Sequence, residues 1–140
     1  MRTKVLLLFA LMLTSMLAWA QQPPPHDPIA ENLFPPELIM ANQKAIGLED
    51  AQKTYIRSEI LKAQTRFTEL QWQLQDSMEG LVSLLKQPSA DESQVSTQLD
   101  KVLNSEREIK RAQLILMLRI KNKLTPDQQT RLQKIRAEMK

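Results

Sequence analysis

The run Ile56-Arg57-Ser58-Glu59-Ile60-Leu61-Lys62-Ala63-Gln64-Thr65-Arg66-Phe67 begins the longest regular pattern in this chain. Apolar or small side chains recur at Ile56, Ile60, Ala63, Phe67, Leu70, Leu74, Ser77, Leu81 and Leu84, in alternating steps of four and three. That period is helical, and its stripe is the narrow seam of a coiled coil rather than a broad globular face. It predicts one helix from about Glu49 to Gln87. Gly80 lies inside this helix, where glycine costs about 1 kcal/mol against alanine. It marks either a bend or a close approach of a partner helix.

Working outward, Gln87-Pro88-Ser89-Ala90-Asp91-Glu92 reads as a turn. Proline ends the first helix, and Ser89 with Glu92 reads as a capping box that starts the next. That helix runs to about Lys123, with a seam at Val95, Leu99, Val102, Glu106, Ile109, Gln113, Leu116 and Ile120. Two long helices joined by a short turn predict an antiparallel hairpin. Before it, Pro36 opens a helix through Ile46, with Gly47 as its C′ stop. After it, Pro126 opens a helix to about Glu138, with Leu132, Ile135 and Met139 on one side. The expected fold is all-α: four helices with a long antiparallel central hairpin.

A hairpin buries one stripe per helix, and this one carries more apolar surface than that. Leu114-Ile115-Leu116-Met117-Leu118 is apolar all the way round. Leu114 and Leu118 lie about 160° from Leu116 at 100° per residue. Trp72 and Val82 also fall off the seam. The other two helices, a second copy of the chain, or a bound client must cover these side chains.

The chain has 140 residues, which suits one domain. Arg2 and Lys4, an apolar run from Val5 to Leu17, and Ala18-Trp19-Ala20 make residues 1–20 a secretory signal peptide. Residues 21–32 are rich in proline and read as an extended tail. Residues 33–140 form the helical domain. The expected location is the periplasm, after cleavage of the signal peptide.

Composition excludes most chemistry. There is no cysteine, His26 is the one histidine, and Gly47 and Gly80 are the two glycines. Thiol catalysis, a disulfide scaffold and a glycine-rich phosphate loop are ruled out. No catalytic residue, cofactor site or metal centre is expected, and the chain reads as a non-enzyme. Residues 21–100 carry six Lys/Arg against twelve Asp/Glu, whereas residues 101–140 carry eleven against four. Export argues against nucleic acid as the partner of the basic half. The charge split suits acidic helices lying beside basic ones, or attraction of acidic unfolded chains.

Two short stretches repeat one another. Leu48-Glu49-Asp50-Ala51-Gln52 and Leu124-Thr125-Pro126-Asp127-Gln128 each place leucine four residues before glutamine. In the second, Thr125 caps, Pro126 takes the first helical position and Gln128 closes a capping box. Leu48 and Leu124 read as hydrophobic staples, and the pair reads first as architecture. Glu49 is a poorer cap than threonine.

These stretches, the signal peptide and Phe34-Pro35-Pro36-Glu37-Leu38-Ile39-Met40 resemble the Spy/CpxP superfamily of Leu-Thr-x-x-Gln proteins. That group also includes periplasmic heavy-metal sensor and resistance proteins. The motif is complete at Leu124, Thr125 and Gln128 and partial at Leu48 and Gln52. The resemblance implies a cradle-shaped homodimer of long helices that holds unfolded or aggregation-prone envelope proteins without ATP. Candidate client or dimer surface is Phe67, Trp72, Leu114, Met117, Leu118, Arg111 and Arg119. The alternative is a stress or heavy-metal sensor acting through a membrane signalling partner. A metal would then be bound between copies through His26.

Overall fold

A computed structural model of the chain describes residues 28–139. The signal peptide read over residues 1–20 and the tail through Asp27, with His26, lie outside the described residues. Pro28–Glu31 form one helical turn, α1, where the sequence predicts an extended tail. Pro28 occupies the first helical position, where its missing N–H has no intrahelical bond to lose. The chain divides into two units, of which the second spans Asn32–Lys140.

The second unit is all-α, with no strand among the described residues. It contains α2 (Pro36–Ala41), α3 (Asp50–Leu85), α4 (Glu92–Lys123) and α5 (Pro126–Glu138). The 36 residues of α3 span about 54 Å at 1.5 Å each. α3 packs against α4 as an antiparallel hairpin, with Glu59 meeting Arg119 at one level and Ser77 meeting Gln98 at another.

α2 is shorter than its sequence predicts. Asn42 Nδ2 donates to the Leu38 carbonyl at 2.8 Å, and Gln43 Nε2 donates to the Met40 carbonyl at 3.1 Å. These side chains compete for helical acceptors, and the α-helix stops at Ala41. Residues 42–47 continue as hydrogen-bonded turns. They end in a Schellman motif: Leu48 N donates to Gln43 O at 2.8 Å and Gly47 N to Lys44 O at 3.1 Å. Gly47 does stand at C′, with φ +65°.

The start of α4 also differs. Its N-cap is Asp91, whose side chain accepts from Gln94 N at 2.8 Å, rather than Ser89. Aspartate is at least as good a cap as serine, and it stands directly before the helical residues.

Along α3 every seam position named from the sequence is buried or half-buried. Along α4 the seam is shifted. Val95, Val102, Ile109, Leu116 and Ile120 face α3, but Gln98, Ser105 and Ala112 replace Leu99, Glu106 and Gln113, which are exposed. Small and polar residues win these places because they let the helices approach. Gln98 Nε2 donates to the Ser77 carbonyl of α3 at 2.8 Å. A Cβ on Gly80 would stand 2.5 Å from the same nitrogen, so this glycine marks a close approach.

Along the hairpin away from its open end, Leu70 and Val102 are the buried apolar side chains, and the main core lies elsewhere. It gathers at the open end, where Phe34, Ile39, Ile46, Leu48, Ile56, Ile120, Leu124 and Leu132 form one buried cluster. Leu38, Tyr55, Ile60, Leu116 and Ile135 pack around it. Met139, expected beside Leu132, is exposed because it lies past the last turn of α5 and beyond the cluster. The remainder of α3 and α4 is a two-helix arm.

Candidate functional site

The two Leu-x-x-x-Gln stretches meet at the open end of the hairpin. Thr125 Oγ1 accepts from Gln128 N at 3.2 Å, and Gln128 Oε1 accepts from Thr125 N at 3.0 Å. At the head of α3, Gln52 Oε1 accepts from Glu49 N at 3.0 Å. The two glutamines then bind each other. Gln52 Nε2 donates to Gln128 Oε1 at 2.8 Å, and Gln128 Nε2 donates to Gln52 Oε1 at 2.9 Å. Each also reaches the chain entering the other's helix: Gln52 Nε2 donates to Lys123 O at 2.9 Å, and Gln128 Nε2 to Gly47 O at 3.1 Å. Both amides thereby use two donor hydrogens and two acceptor sites, their full capacity. Leu48 and Leu124 are buried beneath them.

Two turns beyond Gln52, Glu59 ties α3 to α4. Its side chain is 7 % exposed and accepts from Lys62 Nζ at 2.8 Å and Arg119 Nη1 at 2.9 Å. The hydrogen bond from Lys62, together with that from Arg119, outweighs burial and holds the carboxyl below the ordinary carboxylate range.

Beside Glu59 one flank of the arm opens into a groove of about 330 Å³. Ala63, Ala112, Ile115 and Leu116 contribute its apolar lining, and Lys62, Arg66, Arg111 and Arg119 its cations. Glu59 and Glu108 are its carboxylates. Sequence reasoning picked Arg111 and Arg119 but missed Glu59, Lys62, Arg66 and Ile115. The available signal was the spacing of Glu59, Lys62 and Arg66, which places three charges along one side of α3.

The other candidate surface residues are not brought together into one site. Phe67 is half-buried on the α3 seam, and Met117 is half-buried on α4. Trp72 is 61 % exposed, and Leu114 and Leu118 are 40 % and 41 % exposed. Val82 is exposed as well. Of the covers considered for these side chains, α2 and α5 drop out, because both pack on the core cluster at the open end. Leu61, Leu85, Leu99 and Leu103 extend the bare apolar surface along the arm.

Among the described residues no three His, Cys, Asp or Glu side chains come together to hold a metal ion. Glu59, the carboxylate most buried among them, is already committed to Lys62 and Arg119. The described residues therefore do not fit a metal centre. No helix among them is long and apolar enough to cross a membrane.

A family model described as heavy-metal resistance matches residues 5–131. No curated protein and no solved structure matches the chain.

Proposed function

The chain belongs to the heavy-metal resistance family, within the Spy/CpxP-like Leu-Thr-x-x-Gln superfamily, and from that premise we propose that it is a periplasmic, ATP-independent holding protein for unfolded envelope proteins. The observation that carries this reading is the bare apolar surface of the arm, with Trp72, Leu114 and Leu118 outside any core. Exposed apolar surface beyond a few scattered side chains marks an interaction site. Cations beside it suit weak binding of many sequences, and half-buried Met117 adds a side chain that adapts to varied shapes.

In this reading the protein is not an enzyme and uses no cofactor. It works by mass action, binding the unfolded form of a client and so removing it from aggregation. The arm's second role is to pair with another copy, as a homodimer whose shared face covers part of the apolar excess. Light scattering from a heat-unfolded or reduced client tests the proposal. Scattering falls as the protein reaches several-fold molar excess, and unchanged scattering there overturns it. Cell fractionation tests location, with the mature chain expected to begin at Gln21 in the periplasmic fraction.

The family description favours a second reading, a heavy-metal sensor that signals through a membrane partner. It predicts that zinc, nickel or copper raises the melting temperature in a His26-dependent way. An equal shift in His26→Ala removes that reading. Pull-down from envelope extracts separates the two roles: one defined membrane protein supports signalling, and many abundant envelope proteins support holding.

A further inference from the structure

The flank groove between α3 and α4 has a chemistry distinct from the rest of the arm. Its floor is apolar, and Ala63 and Ala112 leave space there because neither reaches past Cβ. Its rim is cationic, and the cations are not equally engaged. Lys62 and Arg119 share Glu59, and Arg66 binds Glu69 at 3.1 Å. Arg111 makes no ion pair among the described residues and is exposed. Glu108, the remaining carboxylate of the lining, is half-buried and also makes none.

We propose that this groove seats an acidic–aliphatic segment of an unfolded polypeptide. A Glu or Asp carboxylate of the segment lies against the Arg111 guanidinium, and its neighbouring Leu, Ile or Val side chain fills the space above Ala63 and Ala112. The assignment rests on the holding function proposed above and names the sequence class that the arm selects.

Three observations carry it. Guanidinium is the side chain best matched to a carboxylate, which it binds through two parallel N–H donors. The lining has four cations against two carboxylates, so an anionic segment is favoured over a cationic one. The groove is open along one side, whereas sites for small molecules enclose most of their ligand. An extended chain fits an open trough that carries both an apolar floor and an unpaired guanidinium.

The test is fluorescence anisotropy with a short labelled peptide that alternates glutamate and leucine, using the full mature chain. Two control peptides replace glutamate by lysine or leucine by serine. The wild type binds the Glu-Leu peptide, and raising salt from about 50 to about 500 mM weakens binding as charge screening requires. Arg111→Glu lowers affinity for that peptide about tenfold and raises affinity for the Lys-Leu peptide. Arg111→Gln falls between. Because Arg111 is exposed and unpaired, these variants keep the wild-type circular dichroism and melting temperature.

Equal binding of the Glu-Leu peptide by wild type and Arg111→Glu overturns the proposal. So does a change in sedimentation of the Arg111→Glu protein, which would make the groove an interface between copies. Aggregation assays on the same samples separate this inference from the function beneath it. Clients held equally by wild type and Arg111→Glu, without peptide binding, remove the groove and leave the holding function. Peptide binding that depends on Arg111, with no client held, keeps the groove and removes that function.

Discussion

Gln52 and Gln128, 76 positions apart, exchange two buried amide hydrogen bonds of 2.8 and 2.9 Å. Each amide also caps its own helix and bonds the chain entering the other's. The pair thus closes the open end of the hairpin with approximate two-fold symmetry. Neither glutamine has a spare donor or acceptor, so each depends on the other's presence.

Removing one partner should be expensive. Gln52→Ala or Gln128→Ala leaves buried polar groups without partners, at about 2–3 kcal/mol each. The double variant should cost clearly less than the sum, because the second truncation removes groups already orphaned by the first. Urea denaturation of the four proteins measures this cycle. Additive losses would show that the two amides are not coupled.

Glu59 makes stability depend on pH. Its carboxyl is held below the ordinary carboxylate range by Lys62 and Arg119, so the folded state binds the proton less readily than the unfolded chain. The contribution is therefore present above that range and is lost as pH falls through it. Glu59→Gln should lower stability at neutral pH by about 1 kcal/mol, a modest figure because Lys62 and Arg119 are largely exposed. The difference between the melting curves of the two proteins should vanish by about pH 2. A difference independent of pH would refute the ion-pair account.

Gly80 and Gln98 should behave as a unit. Alanine at position 80 gains about 1 kcal/mol of helix propensity. Its Cβ, however, displaces the Gln98 amide from the Ser77 carbonyl. Gly80→Ala alone should change stability little, whereas Gly80→Ala in a Gln98→Ala background should stabilise by about 1 kcal/mol. Thermal unfolding of the single and double variants decides it.

Gly47 shows the opposite case. Nothing lies within 4 Å of a Cβ built there, but its φ is +65°. Gly47→Ala should cost about 1 kcal/mol from backbone conformation alone. Gly47→Asn should recover part of that loss, since asparagine tolerates the left-handed region better.

The core and the arm should separate stability from binding. Leu132 is fully buried in the core cluster, and Leu132→Ala should cost about 2–5 kcal/mol. Trp72→Ser on the exposed arm should change stability by less than about 0.5 kcal/mol. The same substitution should weaken suppression of client aggregation. A Trp72→Ser protein that unfolds early would place this residue in a core instead.

Local rules were enough for much of the fold. The four-three spacing from Ile56 to Leu84 gave α3 and its buried stripe, because helical period alone assigns a face. Pro126 and Thr125 gave the start of α5, and Gly47 the C′ turn, because caps act within one turn of chain. Some local readings also failed, since α2 stops at Ala41 and Asp91 rather than Ser89 caps α4. Other failures depended on partners. Leu99 looked like a seam residue because it is apolar, yet Gln98 took the seam because α3 approaches it closely at Ser77 and Gly80. Two Leu-x-x-x-Gln stretches could be read as caps, but not as halves of one clasp.

By itself, then, the order of residues determined the two long helices, their antiparallel pairing, the capping of α5 and the surplus of apolar side chains. Tertiary structure alone decided that α2 and α5 cover only the open end. It also brought Gln52 to Gln128, Glu59 to Arg119, and four cations around an alanine-floored groove. The reason is range: period and capping act over a few residues, while packing joins residues 60 to 76 positions apart that no local pattern can pair.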